Sequence, residues 1–186
     1  MTIFYRIFRG FTWVVSRIPF RLLYLLSGIL KFFLHHLLRY RRKIAVGNLS
    51  RSFPEKSTNE IRSILSHYYR NLSEIMIEVI KLETVKPSEL RDRFHFTGLE
   101  HMTEAFSNNR SVIVTIGHCG NWEWMGTVLG QLLPVKGFAI IKPLSEKHFN
   151  HYMESLRHRI NPDSTIPFQH TLRTLVRNKK EFLSFN

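Results

Sequence analysis

The segment TIGHCGNWEWMG, residues 115–126, brings an imidazole, a thiol and a carboxylate together directly after an apolar run. His118 and Glu123 are five positions apart, and in one continuous helix their side chains would diverge by about 140°. His118 is therefore predicted on a turn before a helix, with Glu123 in the first helical turn, where the helix dipole stabilises a carboxylate. Gly117 and Gly120 permit such a turn, because glycine tolerates positive φ.

This arrangement predicts a base and the group that orients it. Glu123 can reach back to one imidazole nitrogen of His118, at the carboxyl end of a predicted strand, where open α/β sheets keep their sites. No nucleophile of the protein accompanies the pair, so a substrate hydroxyl is expected to give its proton to His118 and attack an activated acyl group. A structural role remains open for both residues, because histidine can be a buried core residue and glutamate is common in a first helical turn.

Two other chemistries fit this segment less well. Cys119 beside His118 suggests a cysteine–histidine hydrolase, but adjacent residues rarely present both side chains to one point. A zinc site on His118 and Glu123 would need a distant histidine, and no two ligands have the usual short helical spacing. No metal is therefore expected. Cys119 is the single cysteine, which excludes an internal disulfide.

Five further residues are predicted to bind substrate. Asn121 is also a natural N-cap for the helix, and Trp122 offers flat apolar area for an acyl groove, although simple packing remains open. Lys142 lies at the carboxyl end of a predicted strand. Arg157 and Arg159 are two apart on a helix and point different ways, so one could bind a phosphate or stabilise an oxyanion. A solvated basic face explains either arginine equally well.

The elements that must position these residues alternate between strand and helix. Helices are predicted over 99–106, 121–133 and 146–160, the last capped by Ser145, and the tail HTLRTLVRNKKEF, residues 170–182, is predicted helical. Strands are predicted over 94–96, 111–116, 135–141 and 164–168. This order predicts an α/β fold with a partly parallel sheet flanked by helices. Ahead of it, Ser57 and Glu60 form a capping box for a long helix that ends near Leu82.

The first 43 residues have a different character. Residues 11–38 are mostly apolar and are followed by the basic cluster RYRRK, residues 39–43, which is attracted to anionic lipid. No small-residue cleavage site follows the apolar core, so a removed signal peptide is not expected. We predict a helical membrane-associated segment over 1–43 and the α/β domain over 44–186. An ordinary buried first helix with a basic flank is the alternative.

The net charge of +13, with histidine neutral, favours acidic partners. Anionic lipid headgroups, an acidic protein and nucleic acid all meet that condition. No nucleic acid partner is expected, because the sequence has no RNA- or DNA-reading motif. A non-catalytic basic protein that binds membrane surfaces remains the second class of function.

Three segments, in order, resemble one family. The spacing of His118 and Glu123 is similar to the His-x4-acid motif of membrane glycerolipid acyltransferases. RRKIAVGNLSRSFPEKSTNEI, HCGNWEW and KPLSEKHFNHYMESLRHR, residues 41–61, 118–124 and 142–159, resemble bacterial lipid A biosynthesis acyltransferases. The match covers nearly the whole chain.

The resemblance implies acyl transfer from a carrier-bound thioester to a hydroxyl of a glycolipid, catalysed by His118 and Glu123. It implies no bound cofactor. The donor is acyl carrier protein or coenzyme A carrying the acyl chain, and the partners are membrane lipid, the glycolipid acceptor and acyl carrier protein. The implied location is the bacterial inner membrane, with the active site facing the cytoplasm.

Members of the family continue further than this chain. They carry an Asp-Gln segment and a Phe-Phe-Gly segment that are not visible here, so we expect the chain to be truncated at its C-terminus. In that case an apolar strand edge would be exposed to water, and we expect an aggregation-prone protein with little or no acyltransferase activity.

Overall fold

A computed structural model describes residues 2–133 and 137–177. The chain divides into two compact units. We call Arg6–Thr84 the N-terminal unit, and the described residues of 1–5 and 85–186 the C-terminal unit. The predicted division at residue 43 separates a membrane segment from a catalytic domain, and it stays a prediction.

The helices of the N-terminal unit follow one another closely. They are α1 (Ile3–Arg17, which begins in residues grouped with the other unit), α2 (Phe20–Phe32), a π-helical segment (Phe33–Leu37), α3 (Arg42–Ser52) and α4 (Thr58–Lys81). Phe20–Leu37 is the one stretch among the described residues that is long and apolar enough to cross a membrane, judged by length and composition alone. Only 22% of that stretch is buried, whereas the core helix of a soluble protein would be mostly buried.

Helix α4 is the framework of this unit. The predicted capping box is present: the Ser57 hydroxyl accepts a hydrogen bond from the Glu60 amide, and the Glu60 carboxylate accepts one from the Ser57 amide at 2.8 Å. The hydrogen bonds that the Ser57 amide and hydroxyl donate to the Glu60 carboxylate lower its pKa. One face of α4 buries Leu65 and Tyr69 against Leu34. The predicted long helix is confirmed. Its N-terminal cap and its apolar face are both specified by residues close together in the sequence.

The C-terminal unit contains the sheet. Its elements are α5 (Pro87–Arg91), α6 (Leu99–Ser107), α7 (Trp122–Leu132), β1 (Ala139–Ile141), α8 (Lys147–Ile160), β2 (Thr165–Pro167), a 3-10 turn (Phe168–His170) and α9 (Thr171–Arg177). β1 and β2 are parallel, with Ala139 opposite Thr165 and Ile141 opposite Pro167. The described residues are mostly helical with one small parallel sheet, so the coarse prediction of an α/β fold is confirmed.

Two predicted strands are wrong. Residues 94–96 and 111–116 pair with no strand among the described residues, and Ile113 is 90% exposed. A β-branched run supplies strand propensity, but a strand also needs a neighbour to accept its backbone hydrogen bonds, and the local sequence does not specify that neighbour.

Two predicted boundaries also change. Helix α8 is capped by Glu146 rather than Ser145, because its carboxylate has two oxygens that accept from the amides of both His148 and Phe149. These hydrogen bonds lower the pKa of Glu146. Strand β1 is shorter than predicted, and positions 135–136 of that prediction lie outside the described residues, as does the predicted tail helix beyond Arg177.

Replacing Ser57 with alanine should open the first turn of α4. The change removes the hydroxyl that accepts from the Glu60 amide, and loss of an N-cap costs about 1 kcal/mol. Amide hydrogen exchange at residues 58–61 should therefore become about fivefold faster. The matched control is Ser63→Ala, the same change at an exposed position inside α4. Equal acceleration by both variants would contradict the role of the cap.

Candidate functional site

The chain turns sharply just before α7. Gly120 has φ +65°, a left-handed conformation that glycine adopts without strain, whereas Gly117 does not use positive φ. Asn121 is the N-cap of α7, and its side chain accepts a hydrogen bond from the Trp124 amide at 3.0 Å. The predicted turn and cap are therefore confirmed, and they place His118 ahead of the helix.

His118 is exposed and lies against an aromatic ring. Its imidazole centroid is 4.7 Å from the ring of Trp122, with the planes tilted by 53°. The structure gives this imidazole no hydrogen bond to any described residue. Both ring nitrogens of His118 are thus open to a substrate, beside the indole that was predicted to line an acyl groove. Trp124, by contrast, is a buried core residue.

Glu123 lies in the first turn of α7, as predicted, but it faces an arginine. Arg157 Nε donates to Glu123 Oε2 at 2.8 Å, and Nη2 donates to Oε1 at 2.6 Å. The side chains of Glu123 and Arg157 are only 11% and 19% exposed. Burial alone would lower the pKa of the Arg157 guanidinium, but the hydrogen bonds and charge of Glu123 outweigh burial and raise it. No hydrogen bond joins Glu123 to His118 in the part of the chain described.

The close packing of α7 on α8 brings Glu123 and Arg157 together. Asn161, which follows α8, donates from its amide to the backbone carbonyl of Thr127 at 2.8 Å. A β-carbon at Gly130 would lie 2.6 Å from the same amide nitrogen, so the helices leave little free space there. The contacts Glu123–Arg157 and Thr127–Asn161 keep the same order along the two helices, which therefore run in the same direction.

Arg159, Lys142 and Cys119 each have a different environment. Arg159 donates to the backbone carbonyl of Val85 at 2.6 Å. Lys142 directly follows β1 and is exposed, and it has no hydrogen bond or ion pair with a described residue. Cys119 is exposed as a free thiol. Among residues 2–133 and 137–177, no group of three histidine, cysteine or acidic side chains could hold a metal ion.

The ion pair between Glu123 and Arg157 was not predicted. The sequence allows Arg157 either a phosphate or oxyanion contact or a place on a solvated basic face, and its observed partner is 34 positions away in the chain. One signal was available: a helix–strand–helix order with parallel strands places successive helices side by side. That signal indicates which helices meet, but it does not indicate which of their charged residues meet.

Comparison with known proteins gives a consistent family. The family model described as bacterial lipid A biosynthesis acyltransferase matches residues 2–181. The chain is 27% identical over 169 residues to a lipid A biosynthesis palmitoleoyltransferase of Escherichia coli (strain K12), which covers 90% of this chain and 53% of that protein. It is 24% identical over 119 residues to a lipid A biosynthesis acyltransferase of Haemophilus influenzae (strain ATCC 51907 / DSM 11121 / KW20 / Rd). That match covers 64% of this chain and 37% of the relative. A lipid A biosynthesis acyltransferase 2 of Shigella flexneri is 30% identical over 99 residues, which cover 53% of this chain and 30% of that protein.

No solved structure matches the chain. The chain spans about half the length of the first of these relatives, 53%. The family match nevertheless extends over both units and includes the turn that carries His118 and the helix that carries Glu123. The chain therefore belongs to the bacterial lipid A biosynthesis acyltransferase family.

Proposed function

We propose that this protein transfers a fatty acyl chain from an acyl thioester to a hydroxyl group of a glycolipid similar to a lipid A precursor. The observation that carries the proposal is the position of His118, exposed on the turn before α7, in a chain of this family. An imidazole with both nitrogens open to substrate is suited to act as a general base near neutral pH.

In the proposed reaction His118 removes the proton of the acceptor hydroxyl. The oxygen then attacks the thioester carbonyl, and a carbon–oxygen bond forms. When the tetrahedral intermediate collapses, the carbon–sulfur bond breaks, and the leaving thiolate takes the proton back from the imidazolium. The acceptor supplies the nucleophile, so the reaction needs no covalent acyl-enzyme and no bound cofactor.

Glu123 is proposed to orient His118 when substrate is bound. Each oxygen of an ionised carboxylate can accept two hydrogen bonds, so the two bonds from Arg157 leave acceptor sites for an imidazole N–H. Hydrogen bonds at catalytic sites often tighten only when substrate binds. Arg157 is therefore a positioning residue, which fixes the direction of the Glu123 carboxylate.

Substrate contacts are assigned to the residues around this pair. Trp122, whose ring packs beside His118, is proposed to contact the acyl chain. Lys142 is the candidate for an acceptor phosphate, because its ammonium is exposed and bonds no described residue. Arg159 and Asn121 already bond the backbone, to Val85 and Trp124, so we propose that they shape the site rather than neutralise charge.

The donor and location follow the family resemblance. Acyl carrier protein or coenzyme A is proposed to present the thioester, and the strong positive charge of this chain favours either acidic donor. The proposed location is the bacterial inner membrane, with the site on the cytoplasmic side.

The second candidate function is a basic protein that binds membrane surfaces without catalysis. The net charge of +13 favours it, as does the missing hydrogen bond between His118 and Glu123. The two candidates differ in one measurable respect, because only the acyltransferase loses function when His118 loses its imidazole.

His118→Ala and Glu123→Ala should each lower turnover by about 10²-fold or more, because general base catalysis is worth about 10²–10⁴-fold. The double variant should be little slower than the slower single variant, since the residues act as one unit. Turnover is measured with a labelled acyl thioester, for this chain and for its fusion to the C-terminal half of the Escherichia coli relative.

Cys119→Ser is the matched control and should retain most activity. Inactivation by this change instead would overturn the mechanism in which the substrate supplies the nucleophile. Equal turnover by the chain alone and the fusion would contradict the expectation that the shorter chain has little activity.

Arg157→Lys should lower turnover by about 10- to 100-fold, since lysine keeps the charge but cannot hold a carboxylate with two parallel hydrogen bonds. The KM for the thioester should change little, because Arg157 acts through Glu123. Arg173→Lys, an exposed change of the same kind on α9, is the control. A large rise in KM with unchanged turnover would instead assign Arg157 to substrate binding.

In fractionated cells, the protein should remain with the membranes after washes with high salt and with carbonate. High salt screens the attraction of basic residues to anionic lipid, whereas apolar contact with the bilayer survives it. Quantitative release into the soluble fraction would exclude both an inserted helix and a spanning helix.

A further inference from the structure

Helix α1 is amphipathic with its polar face inward. Thr12 and Ser16 are completely buried, and the Thr12 hydroxyl donates to the Glu83 carboxylate at 2.6 Å. Ile7, Phe11 and Val14 recur at helical spacing and are 65%, 62% and 58% exposed. A helix in a water-soluble protein buries its apolar stripe. The apolar face of α1 is therefore built for an apolar environment outside the protein.

A buried ammonium fixes the connection between α1 and α2. Lys81, at the end of α4, donates from Nζ to the backbone carbonyls of Ser16 at 2.9 Å and Ile18 at 3.0 Å. Thr84 donates to the same Ser16 carbonyl at 2.6 Å. These bonds satisfy carbonyls at the C-terminal end of α1, and the Lys81 ammonium also lies 5.1 Å from the ring of Phe20. The turn between the two helices is thus held to the end of α4.

Helix α2 and the π-helical segment after it lie along α4 for most of their length. Tyr24 donates to the Glu78 carboxylate at 2.8 Å, and the His35 ring stacks on Tyr69 at 4.6 Å. The exposed residues of α2 include a row of large apolar side chains, with Arg21 beside them: Leu22, Leu25, Ile29 and Phe32. The outward faces of α1 and α2 therefore combine large apolar side chains with basic ones, Arg6, Arg17 and Arg21.

This packing argues against a transmembrane α2. A bilayer-spanning Phe20–Leu37 would carry the adjoining part of α4 into the hydrocarbon, including the charged side chains of Arg70, Glu74 and Glu78. Each charged side chain at the bilayer centre costs several kcal/mol. If α1 and α2 instead lie in the plane of the membrane surface, their apolar faces meet the acyl chains and α4 stays on the aqueous side.

The charges of this region match an anionic lipid surface. Residues 1–54 contain ten lysines and arginines and no aspartate or glutamate. Trp13 and Arg17 pair on α1, with the guanidinium 4.4 Å from the ring, and both types of side chain favour the headgroup level.

We propose that the outward faces of α1 and α2 form one docking surface, which seats the protein in a single leaflet of an anionic phospholipid bilayer without crossing it. This extends the membrane association proposed above and does not depend on the acyltransferase activity. Attraction of basic side chains and burial of apolar side chains then act on the same two helices.

Sidedness is the first test, made on the full chain with Cys119→Ser. Single cysteines are introduced as Arg17→Cys and Leu38→Cys, at exposed positions that flank the apolar stretch. A membrane-impermeant maleimide is added to inverted and to right-side-out membrane vesicles, and labelling is normalised to that in detergent. Both cysteines should label in the same vesicle orientation. Labelling in opposite orientations would show a spanning helix and overturn the proposal.

Vesicle binding tests the surface itself. Ile7→Asp and Leu25→Asp should each weaken binding to phosphatidylcholine vesicles containing phosphatidylglycerol by about tenfold or more. The matched control is Met76→Asp, at an exposed position of α4, which should bind as the parent protein does. Circular dichroism checks that helix content is kept. Unchanged binding by Ile7→Asp and Leu25→Asp, or an equal loss in Met76→Asp, would refute the docking surface.

Failure of this proposal is distinguishable from failure of membrane association. Release of the protein by the carbonate wash would show that it does not associate with the bilayer, which contradicts both membrane association and the docking surface. Retention in the membranes with labelling of residues 17 and 38 from opposite sides would confirm membrane association. It would contradict only the proposal that α1 and α2 lie in the plane of the membrane surface.

Discussion

The bidentate ion pair between Glu123 and Arg157 is the interaction on which the rest of the site depends. It joins the first turn of α7 to the last turn of α8, and its side chains are mostly shielded from water. Removing one partner from such a pair leaves an uncompensated buried charge, which costs about 3–5 kcal/mol when burial is complete and less where water still reaches the pair. The pair therefore constrains the packing of α7 on α8 as well as the direction of the Glu123 carboxylate.

The three side chains of the candidate site differ in their exposure to solvent. His118 is exposed, whereas the side chains of Glu123 and Arg157 are mostly shielded from water and hold each other. The shielded carboxylate keeps a fixed direction because two parallel hydrogen bonds from Arg157 hold it. In the mechanism proposed above, the exposed imidazole is the group that reacts and the shielded pair is the group that orients it.

What could be predicted from the sequence was local. The capping box at Ser57, the N-cap at Asn121 and the apolar face of α4 all depend on residues within a few positions of one another, and all are confirmed. The strand predicted over 111–116 is wrong because strand pairing is non-local. The partnership of Glu123 and Arg157 was missed for the same reason. A helical membrane-associated segment was predicted over 1–43, but the sequence did not indicate which residues of α1 would face outward, since periodicity defines a face and not the side on which the protein packs.

Cys119 has a practical consequence that its chemistry alone does not suggest. It is the only cysteine of the chain, it is exposed, and it is adjacent in sequence to His118. A thiol-reactive fluorophore would therefore attach at one defined position beside the proposed base, without any engineered residue. Emission from such a reporter would respond to whatever occupies the space around His118 and Trp122. Occupancy of the site could then be titrated with candidate donors and acceptors one at a time, whether or not the protein turns them over.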